Sequence, residues 1–230
     1  MLDKATSPRR RSTVTPRKQG QETLTRERIV KTALALVDER GLEGHSMRDL
    51  ALALGVDVST LYYHVPNKAA LYELVADAVM EDPELDEPDP DIAPIDRFRR
   101  AGHGFRDALL RHPNALPLII GKPMRSPAQV RPVEHILGIF FDAGFEAAYA
   151  LLALDSLAAY VLGCVAGQTG LQSDPTSEEG LEPLALLPAE EFPNTRRMMT
   201  EVVGIDLAEY HTRQFEVGLD ALARGLFAKE

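Results

Sequence analysis

Ser46-Met47-Arg48-Asp49-Leu50-Ala51-Leu52-Ala53-Leu54-Gly55-Val56-Asp57-Val58-Ser59-Thr60-Leu61-Tyr62-Tyr63-His64-Val65-Pro66-Asn67-Lys68 is the stretch that decides the fold. Ser46 can accept from the free N–H groups of a first helical turn and suits an N-cap. Met47, Leu50, Ala51 and Leu54 then recur at helical spacing and form one apolar face. Gly55 supplies the positive φ of a tight turn at low cost. Asp57 is placed to cap a second short helix, in which Leu61 and Val65 face inward, four residues apart. Pro66 drives Val65 out of helical geometry and ends that element. Asn67 caps again, and Lys68 opens a longer helix with Leu71, Leu74, Val75 and Val79 on its inner side. The second helix is left with Ser59, Thr60, Tyr62, Tyr63 and His64 on its outer side. An idle solvated face is usually rich in Glu and Lys. Hydroxyls and phenols donate to phosphates and touch base edges. The pattern is that of a helix-turn-helix built to enter a major groove; a plain helical hairpin with a polar surface is the alternative.

Outward from this stretch, Thr25 can cap a helix running to about Arg40, with Ile29, Val30, Ala33, Leu34 and Val37 inward. Before it, residues 1–23 hold Lys4, Arg9, Arg10, Arg11, Arg17 and Lys18 among Ser, Thr and Pro. That composition predicts a disordered basic arm, either inert or following DNA phosphates. The net charge of −10 conceals an asymmetry: residues 1–68 sum to +4 and residues 69–230 to −14. The total argues against nucleic acid, whereas the local charge favours it at the end that carries the helix-turn-helix. Residues 81–91 contain seven acidic residues with Pro83, Pro88 and Pro90, the composition of an exposed linker.

The remainder reads as helix throughout, and no segment shows strand alternation. Helices are expected over 95–111, 114–120, 128–142 and 146–172, with a long mobile loop over 173–195. Phe215, Leu219, Leu222 and Leu226 repeat at i, i+4, i+7 and i+11, a narrow stripe suited to a partner helix. Ala147 to Gly167 spans 21 residues with one charge, Asp155, and imitates a membrane span. A mid-span aspartate would cost about 2.5–3.5 kcal/mol in a bilayer. The run is therefore expected to be buried in a bundle or a dimer interface, with no membrane involved. One cysteine, Cys164, excludes an internal disulfide and fits a reducing cytoplasm. The N-terminus lacks an apolar core behind its charges and does not read as a secretory signal.

The residues from Thr25 to Val79, about 55 of them, resemble the DNA-binding domain of TetR-type transcriptional repressors. The resemblance rests on Arg26–Val37, Gly41-Leu42, Ser46–Ala51, Leu54–Val56, Ser59–Val65 and Asn67-Lys68. More weakly, Phe105–Leu110, Ala143–Phe145, Leu162–Val165 and Gly218-Leu219 are similar to the ligand-binding domain of the tetracycline-responsive branch of that family. The resemblance implies an all-α chain divided into an arm (1–23), a three-helix DNA-binding domain (24–70) and a helical ligand-binding and dimerisation domain (71–230). It implies a homodimer joined by a four-helix bundle that binds a palindromic operator in double-stranded DNA and is released by a small effector. Arg48 is then placed to reach a base, and Thr60, Tyr62, His64 and Lys68 to hold phosphates. Thr25, Ser46, Val58, Ser59 and Tyr63 complete the DNA-binding set. Val58 stands where the tetracycline-responsive members carry a base-reading glutamine, so the operator should differ. Those members bind a drug–magnesium complex. Ile119 and Gly167 fall at positions serving the metal, and Ala101 and Ile136 at polar drug contacts; only Phe105 is retained. Phe105, Leu109, Ile119, Ile136 and Phe140 are accordingly the candidate ligand residues, for a largely apolar effector and with neither metal nor cofactor.

An enzyme is disfavoured. His103 and His112 are nine apart and face opposite sides of a helix, and no HxxxH, CxxC, GxGxxG or GxxxxGK pattern occurs. An architectural DNA-binding protein without a ligand is the other reading. The long C-terminal part argues against it.

Overall fold

A computed structural model describes residues 23–81, 91–170, 178–202 and 204–228. The basic arm and most of the acidic linker lie outside the described residues. Ten α-helices and a 3-10 turn are seen, and no strand occurs among the described residues.

The first three helices are α1 (Arg26–Arg40), α2 (Met47–Leu54) and α3 (Val58–His64). Thr25 caps α1 by accepting from the Arg28 N–H. Ser46 caps α2 in a reciprocal box: its hydroxyl accepts from the Asp49 N–H, and the Asp49 carboxylate accepts from the Ser46 N–H at 2.7 Å. The Ser46 hydroxyl also donates to the Asp49 carboxylate at 2.5 Å, and this bond, with that from the Ser46 N–H, holds the Asp49 carboxyl below the usual carboxylate range. Gly55 adopts φ 70 and ψ 32 and turns the chain into α3. Asp57 precedes α3, but its side chain makes no capping bond, contrary to the sequence expectation. Leu50, Leu54, Leu61 and Val65 are buried together with Ile29, Ala33 and Val37 of α1. Arg28 Nη2 donates to the Leu54 carbonyl at 3.1 Å and ties the start of α1 to the end of α2.

Helix α4 (Lys68–Met80) leaves this head and packs on α1, on α6 and on the 3-10 turn at Pro113–Leu118. Its cap is Asn67, as the sequence suggests. The body comprises α5 (Pro94–Arg111), α6 (Pro127–Asp142), α7 (Ala147–Gln168) and α10 (Leu207–Phe227). Its core is aromatic at one end. Phe140 stacks on Phe227 with centroids 4.8 Å apart and meets Phe98 edge-on at 5.7 Å.

Several expectations require correction. The loop predicted over 173–195 contains α8 (Glu178–Ala185), and α9 (Pro193–Val202) begins within it. Pro193 sits at the first turn of α9, where its missing N–H costs nothing. These two helices pack on each other. The segment after Pro113 is a 3-10 turn rather than an α-helix. Helix α7 ends at Gln168, before Gly170 with φ 72. Of the stripe on α10, Phe215, Leu219 and Leu226 are buried within the chain, where α10 packs against α7 and α5, and Leu222 is half-buried. Tyr160 of α7 lies flat on Phe215 and donates to the Gln214 and Phe215 carbonyls at 2.8 and 3.0 Å. Gly218 makes this approach feasible, since a Cβ there would overlap the Tyr160 ring.

Helix α7 is long and apolar enough to cross a membrane. Its Ala150, Ala153, Leu157, Val161 and Val165 are instead buried against neighbouring helices of the body. Leu151 and Leu152 on α7 and Val217 on α10 remain outward, each more than half exposed.

Candidate functional site

The outer surface of α2 and α3 carries the residues singled out for DNA. Arg48, Ser59, Thr60, Tyr62, Tyr63 and His64 are exposed, and Val58 is half-buried. Tyr63 is 88% exposed on a seven-residue helix anchored by Leu61 alone, so its ring has no role in the core. Thr25 and Ser46 are exposed at the starts of α1 and α2, with their hydroxyls already engaged as caps. The Arg28 contact brings the Thr25 turn against the end of α2.

Lys68 has a partner set that its position in the sequence did not reveal. Its ammonium donates to the Leu42 and His45 carbonyls, both at 2.9 Å, and lies over the Tyr72 ring. Tyr72 Oη donates to the same Leu42 carbonyl. His45 is buried and bonds through Nδ1 to the Gly41 carbonyl at 3.1 Å. The α1–α2 loop is thus fastened to α4 by carbonyls that no helix satisfies. The only sequence signal was a lysine at the start of α4, where the helix dipole disfavours a cation unless another contact holds it.

A cavity of about 270 Å³ lies between α4, α5, α6, α7 and the segment after the 3-10 turn. Phe105, Ile119 and Ile136 line it, joined by Leu154, Leu157 and Leu162. Ala101 also lines it, whereas Gly167 does not. Two candidates fall elsewhere. Leu109 is fully buried in the core; eight residues beyond Ala101, it has rotated about 80° around α5. Phe140 is fully buried one turn beyond Ile136, inside the aromatic cluster. The sequence pattern marked both as inward-facing but could not separate core from cavity wall.

The polar side chains at the cavity are Gln129, His135, Asp155 and Lys122. Gln129 is fully committed: Nε2 donates to Asp77 at 2.6 Å, and its carbonyl accepts from the Arg125 N–H at 2.9 Å. Ser126 also donates to Asp77, at 2.7 Å. The cavity therefore abuts α4 through Ala76 and Met80, at the opposite end from Lys68. Among the described residues, no group of three His, Cys, Asp or Glu side chains is placed to hold a metal ion. Ile119 and Ile136 offer no donor atom to a metal ion.

Residues 29–75 match the family described as bacterial regulatory proteins of the tetR family, and residues 87–229 the tetracyclin repressor-like C-terminal domain. The chain belongs to the TetR family. It is 30% identical over 207 residues to the tetracycline repressor protein class C of Escherichia coli, covering 88% of this chain and 90% of that one. Apo ActR from Streptomyces coelicolor superposes with a TM-score of 0.75 at 28% identity, covering 90% of this chain and 96% of ActR. ActR in complex with actinorhodin superposes with a TM-score of 0.74, also at 28% identity, over 89% of this chain and 97% of that one. TetR-family regulators are DNA-binding transcription factors, and this member has their helix-turn-helix head and helical C-terminal domain. The first match ends within α4 and the second begins before α5.

Proposed function

We propose that this TetR-family chain is a cytoplasmic repressor that binds a palindromic operator as a homodimer and leaves it when a largely apolar small molecule fills the cavity. The observation that carries the reading is the pairing of an exposed, non-core aromatic and hydroxyl face on α3 with a largely apolar cavity that α4 borders. ActR, similar along its whole length, has been solved with actinorhodin bound. The outward Leu151, Leu152 and Val217 on α7 and α10 supply apolar area for a second copy. Two copies related by a two-fold axis present two α3 helices about one DNA turn apart.

A molecule in the cavity touches Ala76 and Met80 of α4, and α4 holds the α1–α2 loop through Lys68 and Tyr72. A ligand that fits one arrangement of α4 better than another shifts the spacing of the two heads by that difference in affinity.

Selection from random DNA should enrich one palindrome. Arg48→Ala should cost about 1–3 kcal/mol of binding and relax preference at one base pair per half-site. Lys68→Ala should weaken binding to every sequence alike, and by the contacts seen here it should also loosen the α1–α2 loop. No enriched palindrome, or an Arg48→Ala protein with unchanged affinity and preference, overturns the assignment.

Tetracycline with magnesium should not release the operator. Each polar group of that drug buried unpaired against Ile119, Ile136 or Ala101 would lose about 1–3 kcal/mol. Magnesium-dependent release at micromolar drug, followed by electrophoretic mobility shift, contradicts this.

A further inference from the structure

Asp155 is the one acidic residue of α7, placed near the middle of a 22-residue helix. At that position the helix dipole gives a carboxylate no support, since its effect is confined to the terminal turns. Among the described residues Asp155 has no hydrogen-bond or ion-pair partner. Among the described residues it is also the only carboxylate lining the cavity, where its neighbours Leu154, Ala158 and Leu162 form the apolar wall. The other polar groups there are differently disposed. Gln129 uses both ends of its amide within the protein. His135 is already engaged in another interaction. Lys122 is exposed between Gly121 and Pro123, outside any helix, and its long stem can carry the ammonium into water. Asp155 is also exposed, but its short stem keeps the carboxylate at the cavity rim, because α7 is packed on both sides of it through Ala153 and Leu157.

We propose that the effector carries a basic amine, protonated at neutral pH, that pairs with the Asp155 carboxylate while its apolar body fills the cavity. This rests on the reading of the cavity as the effector site. A neutral apolar ligand would leave Asp155 without a role, and an acidic one would be repelled by it. Asp155 is exposed at the cavity edge, so water screens the pair. The amine should therefore contribute about tenfold in affinity, the low end for a hydrogen bond to a charged group.

The test uses the full chain, with N-phenylnaphthylamine fluorescence as a neutral reporter of the cavity. The reporter is displaced by three matched compounds: naphthylethylamine, naphthylethanol and naphthylacetate. The amine should bind about tenfold more tightly than the alcohol, and the acid most weakly. Asp155→Asn should erase the amine preference and leave the alcohol unchanged. Asp155→Lys should invert the order in favour of the acid. Ile119→Trp should weaken all three, which ties the signal to the cavity. Circular dichroism should be unaltered in the Asp155 variants, because the side chain bonds to nothing in the fold. Equal binding of amine and alcohol, or an amine preference that survives Asp155→Asn, overturns the charge assignment while the cavity reading stands. Tightest binding of the acid to the unaltered protein points to Lys122 and also overturns it. If the reporter fails to bind, the cavity reading itself falls and takes this inference with it.

Discussion

Phe140→Ala should lower the unfolding free energy by about 3–5 kcal/mol, because a buried Phe loses both its transfer energy and the packing around it. In a chain of this size each kcal/mol shifts the melting temperature by about 2–4 °C, so a drop of roughly 10 °C is expected. The surroundings decide this. Phe140 has no solvent exposure and contacts Phe98, Phe145, Tyr149 and Phe227, rings drawn from α5, α7, α10 and the α6–α7 turn. Little can collapse into the space left by one ring among four others. Below the melting transition, reporter binding to the cavity should be nearly intact. Phe105→Ala should do the opposite: it removes a half-buried cavity wall, weakening reporter binding with a smaller thermal cost. Calorimetry and the fluorescence titration separate the two outcomes. An unchanged melting temperature with lost binding for Phe140→Ala would return that residue to the ligand site.

The second large effect concerns salt. Each head offers Thr60, Tyr62, His64 and Lys68 to the phosphate backbone, beside a chain segment with a local charge of +4. Neutral donors add no salt dependence, but residues 1–68 also hold 12 Lys and Arg, and two copies should place about six of these cations on phosphates. Binding of that kind releases condensed counterions, and affinity should fall about a thousandfold or more between about 50 and 200 mM salt. The −14 of residues 69–230 should not blunt this, since charges beyond about 10 Å are screened at the higher salt. Fluorescence anisotropy on the selected operator, repeated across salt concentrations, measures the slope. A slope close to zero would mean that the basic residues of the head and arm do not meet the backbone. Deleting residues 1–20, which removes six cations, should make the slope shallower if the arm follows phosphates.

The sequence alone determined the head. Ser46, Gly55, Pro66 and Asn67 act through local backbone chemistry, capping, positive φ and a blocked helix, and each fulfils its local role in the structure. Burial of Leu50, Leu54 and Leu61 followed from periodicity, which short helices express without ambiguity. The outward face of α3 was legible for the same reason, because removing the inward residues leaves it over. Asp57 shows the limit even there: a capping residue type does not ensure a capping bond. Helix α8 and the start of α9 were missed because Pro175, Pro183, Pro188 and Pro193 read as punctuation, whereas Pro183 lies inside α8 and Pro193 begins α9. Only the tertiary structure separated Phe105, Ile119 and Ile136 from Leu109 and Phe140. All five face inward. Which inward residues meet a gap rather than another side chain depends on how α4 to α7 cross, and a one-dimensional pattern does not contain that angle. The same holds for Lys68 and Asp155. Lys68 finds two carbonyls 23 and 26 residues away, while Asp155 finds no partner among the described residues and borders a cavity. Contacts between distant segments exist only once the helices have packed, and they decide what a charged side chain in this protein is for.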